Sequence, residues 1–178
     1  MKLFFIRAFR AAKLDATVFD EVMENAKLMT QAIIVVFIYG AAVAYGSFAR
    51  AGVAGINSAI FITLIGWYIW AFSTYIIGVR LFPETGTTAD RKAFMRAMGF
   101  ASSPGWLRFL GLVPEIGGAV FAVISIWMVV AAVVAVKKAL NYTSTQRAAA
   151  ITIVCWILST LFQGLLYIIF FSVFGISR

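Results

Sequence analysis

The 178-residue chain contains no histidine, one cysteine and three prolines, and only 12% of its residues are charged. Each scarcity excludes something. Without histidine the commonest metal ligand is missing, and with it the usual axial ligand of porphyrin-type pigments. One thiol, Cys155, closes no internal disulfide and builds no metal cluster; inside an apolar run it reads as a small packing residue. No Walker loop, GxSxG elbow or HExxH pair occurs. Carboxylates number seven, and their one cluster, Asp20, Glu21 and Glu24, suits a solvated helix face. No catalytic, cofactor or metal site is expected, and the reading is of a protein that is not an enzyme.

What is present is hydrophobic length. The chain is 63% hydrophobic, and an ordinary soluble domain carries about twice its charged share. Uncharged runs of 22, 29, 21 and 30 residues follow Lys27, Arg50, Glu115 and Arg147. A bilayer core takes about 20 apolar residues as helix, so the fold class is all-α and polytopic in a membrane. The start, "MKLFFIRAFRAAKL", does not read as a signal peptide, because Arg7 cuts its apolar run short; insertion through the first span is expected instead. The net charge of +8 sits mostly at span ends, as insertion requires, and no nucleic-acid recognition motif accompanies it.

Residues 1–29 precede the first span. Phe5 and Phe9 lie one turn apart with Arg7, Arg10 and Lys13 nearby, which predicts a basic amphipathic helix on the membrane surface. A second short helix follows, capped by Asp15 or Thr17, with Phe19, Val22 and Met23 on its apolar side. The first span is expected over 32–48, where Gly40 and Ala44, and Ala42 and Gly46, have the four-residue spacing of close helix packing. The second lies within 54–79, and its central Trp67, Tyr68 and Trp70 are expected inside the bundle. Thr88 or Asp90 caps the next helix, residues 116–136 form another span, and Ser144 or Thr145 caps the last, over 147–173. There is no internal repeat. The expected organisation is an interfacial segment, 1–29, and one bundle, 30–178.

Residues 95–118, "MRAMGFASSPGWLRFLGLVPEIGG", decide the topology. Six large apolar residues contribute about −2 to −3.5 kcal/mol to insertion, while Arg108 costs about +2.5 to +3.5. Pro104 removes a backbone donor and disfavours helix at Ser103. Hydropathy balances near zero, so charge decides. If the segment crosses, 12 basic residues fall on one side and 2 on the other; if it does not, the division is 11 to 4. The positive-inside rule favours crossing. The expectation is therefore five transmembrane helices with a broken third, bent at Ser102, Ser103, Pro104 and Gly105 and turning back at Pro114 and Glu115. Neighbouring helices can satisfy such a break. It reads either as a packing kink or as the lining of a site. Arg108 and Glu115, seven residues apart, would share a face of a regular helix. Arg108 can also snorkel to the nearby boundary. Gln163 and Asn57 are the other intramembrane polar candidates.

The stretches "LDATVFDEVMENAKLMTQA", "TTADRKAFMRAMGFASSPGWLRFLGLVPEIGG" and "VISIWMVVAAVVAVKKALNYTSTQRA", with the terminal apolar helix, resemble the Yip-domain family of Ypt-interacting multipass membrane proteins, in its bacterial branch. The likeness runs from about Leu14 to Phe171. It implies five transmembrane helices, a cytoplasmic N-terminus, a far-side C-terminus and, for a bacterial member, the cytoplasmic membrane. In eukaryotic members it implies binding to Rab-type GTPases. The Asp-Leu-Tyr-Gly-Pro-like stretch of those members is absent here, which argues against GTPase binding. The leading functional expectation is an interaction or accessory subunit that contacts lipid and other integral membrane subunits, with Phe170, Phe171 and Phe174 as one candidate contact. The alternatives are a transporter or channel component and a membrane-shaping factor acting through the N-terminal helix.

Overall fold

The structure is a computed structural model. It describes the backbone of residues 2–87, 89–112 and 115–174, and their side chains except at 46–54, 112, 170, 171, 173 and 174. The described elements are helices: α1 (Lys2–Ala12), α2 (Ala16–Glu24), α3 (Met29–Ile76), α4 (Arg91–Ala101), α5 (Gly117–Ala139) and α6 (Thr145–Phe174). A 3-10 turn (Ala26–Leu28) leads into α3, a π-helical turn (Ile77–Leu81) follows it, and a 3-10 segment (Ser103–Leu112) continues α4.

Helix starts obey local chemistry. Asp15 caps α2 by accepting from the Thr17 amide at 2.9 Å, and Asp90 caps α4 by accepting from the Ala93 amide at 2.8 Å. Ser144 accepts from the Arg147 amide at 3.2 Å at the head of α6. Each satisfies an amide that the helix leaves without a partner. Thr88 and Phe170, Phe171 and Phe174 as contact side chains lie outside the described residues.

The expected first and second spans form a single helical run, α3, that turns back on itself. A Cβ on Gly40 would lie 3.6 Å from Ile60 Cα and from Thr63 Cβ. Twenty residues of straight helix would separate these positions by about 30 Å, so the two halves of α3 pack antiparallel. A Cβ there would make only ordinary van der Waals contact, so a small residue suits this approach and glycine is not required for it. Trp67 and Trp70, three apart on one face, are buried, whereas Tyr68 is half exposed and stacks on Phe72. Three rings so close in sequence cannot share one helix face, so Tyr68 departs from the expectation.

Among the described residues, four helical stretches are long and apolar enough to cross a membrane: Ala26–Tyr45, Gly55–Leu81, Gly117–Ala139 and Thr145–Ile169. The expected third crossing is not among them. It consists of α4 and the 3-10 segment, and it runs antiparallel to α5 over much of that helix. Gly111 faces Gly117, Arg108 meets Ser125, and Gly105 abuts Met128. Gly99 meets the first half of α3, where a Cβ would fall 2.7 Å from Ala32 Cβ. The broken helix is thus an α-helix that changes to 3-10 geometry at Ser102–Ser103.

Helices α1 and α2 gather at one end of the bundle, called proximal here; the other end is distal. Val18, Phe19 and Val22 of α2 are fully buried in the core, each worth about 1.5–3 kcal/mol relative to water. Lys138, at the end of α5, pairs with Asp20 at 2.8 Å. The proximal loops are tied as well: Glu84 accepts from the Thr143 amide and hydroxyl, both at 2.7 Å. Those bonds, with Arg147 nearby, hold the Glu84 carboxyl below the usual carboxylate range.

Candidate functional site

The break begins where Ser102, buried, bonds the Met98 carbonyl of its own helix at 3.1 Å and the Gly105 amide bonds back to Ser102 at 3.0 Å. Pro104 has no amide to offer, and tighter three-residue turns follow. Ser103 Oγ is buried without a hydrogen-bond partner. A 3-10 run of ten residues is unusual, since runs beyond 3–4 are uncommon, and mid-helix examples often mark functional positions. With three residues per turn, Gly105, Arg108 and Gly111 stand above one another on one face. Gly105 is required there, because a Cβ would lie 2.5 Å from the Tyr39 ring. The Arg108 side chain is flanked by two residues with no side chain.

Arg108 points into the distal half of the bundle. Nη1 donates to the Tyr39 hydroxyl at 2.9 Å and Nη2 to Ser125 Oγ at 2.8 Å. The guanidinium lies 4.0 Å from the Phe121 ring centre and 4.9 Å from that of Tyr39, within cation–π range. Nε is buried without a partner. Among the described residues no carboxylate pairs with Arg108, and Glu115, at the distal turn, is exposed. The 3-10 geometry separates Arg108 from Glu115, because the shared face at seven residues holds only for a regular α-helix.

Arg108 lines a cavity of about 340 Å³ among α3, the 3-10 segment, α5 and α6, with Tyr39, Thr63, Ser125, Thr160 and Gln163 also on its wall. A neighbouring void of about 30 Å³ shares Arg108, Tyr39 and Gln163 and is bordered by Trp67, whose Nε1 also lacks a partner. Gln163 reaches in over Gly66, where a Cβ would clash with its side chain at 2.1 Å, and donates to the Ser159 carbonyl at 3.3 Å. Of the intramembrane polar candidates, the fold brings Arg108 and Gln163 together; Asn57 is exposed and lines neither space. Tyr39, Ser125 and Thr160 were not singled out from sequence. Thr160, Gln163 and Tyr167 recur at three- and four-residue spacing on one face of α6, and Ser125 is the lone hydroxyl of α5. Those patterns were the available signals.

The proximal end handles charge differently. Arg7 donates to Glu21 at 2.6 Å, and Arg10 donates to Asp15 at 2.7 Å and to Glu21 at 2.9 Å. These arginines tie α1 to α2, while Leu3, Phe5, Ile6 and Phe9 stay exposed. Lys13 sits 4.5 Å from the Phe9 ring centre. The Thr17 hydroxyl and then Arg10 hold the Asp15 carboxyl down at about 2, and Arg7 lowers that of Glu21. Helix α1 lies against the outside of the break: Phe4 and Phe5 contact Trp106, and Trp127 Nε1 donates to the Ala12 carbonyl at 2.7 Å. An apolar groove of about 560 Å³ remains between α1 and Pro104, Trp106 and Leu107. Arg96, 5% exposed, donates through Nε to the Val22 carbonyl at 2.8 Å and through Nη2 to that of Met23. It satisfies the last carbonyls of α2 and complements the negative end of that helix's dipole.

Apolar helices of spanning length, a basic proximal end and a broken helix packed among them define an integral, multispan membrane protein of all-helical fold. The Yip1 domain family model matches residues 15–175, and the chain belongs to that family. Comparison with curated proteins and with solved structures finds no match.

Proposed function

We propose that the protein is a non-catalytic accessory subunit that associates with a larger membrane assembly, with its proximal end in the bacterial cytoplasm and its distal end across the inner membrane. The observation that supports this is the outer face of α6. Only 22% of that helix's most apolar stretch is buried within the chain, against 33–39% for the other three spans. Ile153, Ile157, Leu161, Leu165 and Ile168 form an exposed apolar stripe along it. Without a hydrophobic force between helices in lipid, association depends on close packing of such faces. Native membranes extracted with a mild detergent test the reading. A defined integral partner should co-purify and cross-link through Ile153 and Ile157, on the proximal half of that face. Migration as a lone particle, with no cross-link from that face, would refute it.

A transport role is a second reading, favoured by the meeting of Arg108 and Gln163 in one cavity. Asn57, outside it, does not contribute. Solute flux into proteoliposomes that falls on substitution of Gln163 would support transport; flux equal to that of empty vesicles would end it.

A further inference from the structure

The distal cavity has hydrogen-bond donors to spare and, among the described residues, no carboxylate to meet them. One buried side-chain donor without a partner, Arg108 Nε, belongs to a residue on its wall, and a second, Trp67 Nε1, borders the small neighbouring void. The Tyr39 hydroxyl accepts from Arg108, which leaves its own proton to give. Ser125 and Thr160 direct their protons to the Phe121 and Trp156 carbonyls of their own helices. The wall therefore offers a ligand the Arg108 charge, its Nε–H and the Tyr39 hydroxyl proton. A cation held among apolar helices without a protein counter-charge is costly, and such residues pair or mark a ligand path. Guanidinium groups match phosphate oxygens particularly well, because their planar fork donates two parallel bonds.

The shape indicates where the anion comes from. The volume of about 340 Å³ lies at the small end of the roughly 300–1,000 Å³ typical of ligand pockets, enough for a headgroup and too little for acyl chains. Gly164 lies on the rim, and a Cβ there would meet nothing within 4 Å. Beside it, Leu161, Leu165 and Ile168 are exposed on the membrane side of α6. The opening thus adjoins an apolar track on which chains can lie. Arg108 stands four residues before the end of the 3-10 segment, about 8 Å at that helix's rise, close to the depth of the distal headgroups.

We propose that this cavity is a site for the phosphate of an anionic phospholipid, entered sideways from the distal leaflet past Gly164 and held by Arg108 and Tyr39. The purified full-length protein in detergent is titrated with phosphatidylglycerol, with diacylglycerol of the same chains, and with inorganic phosphate, and binding is read by native mass spectrometry and by the shift in unfolding temperature. Phosphatidylglycerol should bind and raise the unfolding temperature, and the other two should not. Arg108→Gln should weaken binding about tenfold or more through loss of the charge-assisted bonds. Gly164→Trp touches no polar group and should weaken it comparably by closing the opening, so it decides the matter if Arg108→Gln fails to fold. Undiminished phosphatidylglycerol binding by either folded variant would overturn the site. An equal response to inorganic phosphate would overturn the lipid as its occupant.

Discussion

Arg96 and Arg108 lie twelve residues apart on one broken helix and meet opposite fates. At the proximal end, Arg96 spends its donors on two backbone carbonyls of α2, and Arg7 and Arg10 are paired with carboxylates. At the distal end, Arg108 meets two neutral hydroxyls and two rings and keeps a donor unused. A cation that completes a helix end is part of the fold. A cation with neutral neighbours and a donor left over, beside an open space, is the ground of the lipid site proposed above. The two arginines differ in the nature of their acceptors, carbonyls of a helix end for one and hydroxyls and rings for the other.

Substitutions can break that contrast. Arg96→Ala should have the largest effect, because it strands the buried Val22 carbonyl and leaves that of half-buried Met23 without its partner. Charge-assisted bonds of this kind contribute about 1.5–3 kcal/mol each, so a loss of about 3 kcal/mol or more is expected in chemical unfolding from detergent. A loss below about 1 kcal/mol would put Arg96 in the same class as Arg108. Gly99→Ala comes next. Its Cβ meets Ala32, including backbone atoms at 3.1–3.2 Å, so α4 must move away from α3 at about 1–3 kcal/mol. An unchanged unfolding midpoint would show that this contact has slack. Arg108→Gln should stay within about 1 kcal/mol of the wild type without added lipid, since the two bonds lost are offset by relief of the insertion cost of a charge. A loss matching that of Arg96→Ala would make both arginines structural.

The smallest expected effect is that of acid on the proximal latch. Asp15 is held at about 2 against an ordinary 3.8, and Glu21 is lowered as well. A depressed carboxyl stabilises the fold above its ordinary value, and that stability is lost as pH falls through the depressed one. The attachment of α1 to α2 should therefore be constant above about pH 4.5 and weaken between 3.8 and 2. Proteolysis or hydrogen exchange across residues 2–24 reads this directly. Weakening centred near neutral pH would exclude these carboxylates as the cause.

Much of this arrangement was legible in the chain. Hydrophobic length gave the class, Asp15, Asp90 and Ser144 were each one of two residues expected at their helix starts, and charge placement argued for a crossing by the marginal segment that the fold packs among the other helices. Hydropathy could not find that segment, because Arg108 cancels its apolar residues. Three features needed the folded structure. The return of α3 on itself is invisible when both halves are equally apolar. Arg96 looked like one more basic residue near a span end, because nothing local shows that carbonyls 73 and 74 residues away accept from it. The cavity draws on four separate elements, of which the sequence singled out Arg108 and Gln163. Tyr39 was missed because a tyrosine in an apolar span, six residues from the next, forms no helical pattern.

The change of helical pitch at Ser103 has an angular consequence. An α-helix advances about 100° per residue and a 3-10 helix about 120°. Over the four residues from Pro104 to Arg108 the difference amounts to about 80°, nearly a quarter of a revolution. A return to ordinary pitch would swing the guanidinium away from Tyr39 and draw the distal turn inward by about 5 Å over ten residues. The segment works like a screw cut with two threads, in which the finer angular step of one half is fixed so that the charge on the other half comes to rest at the right bearing.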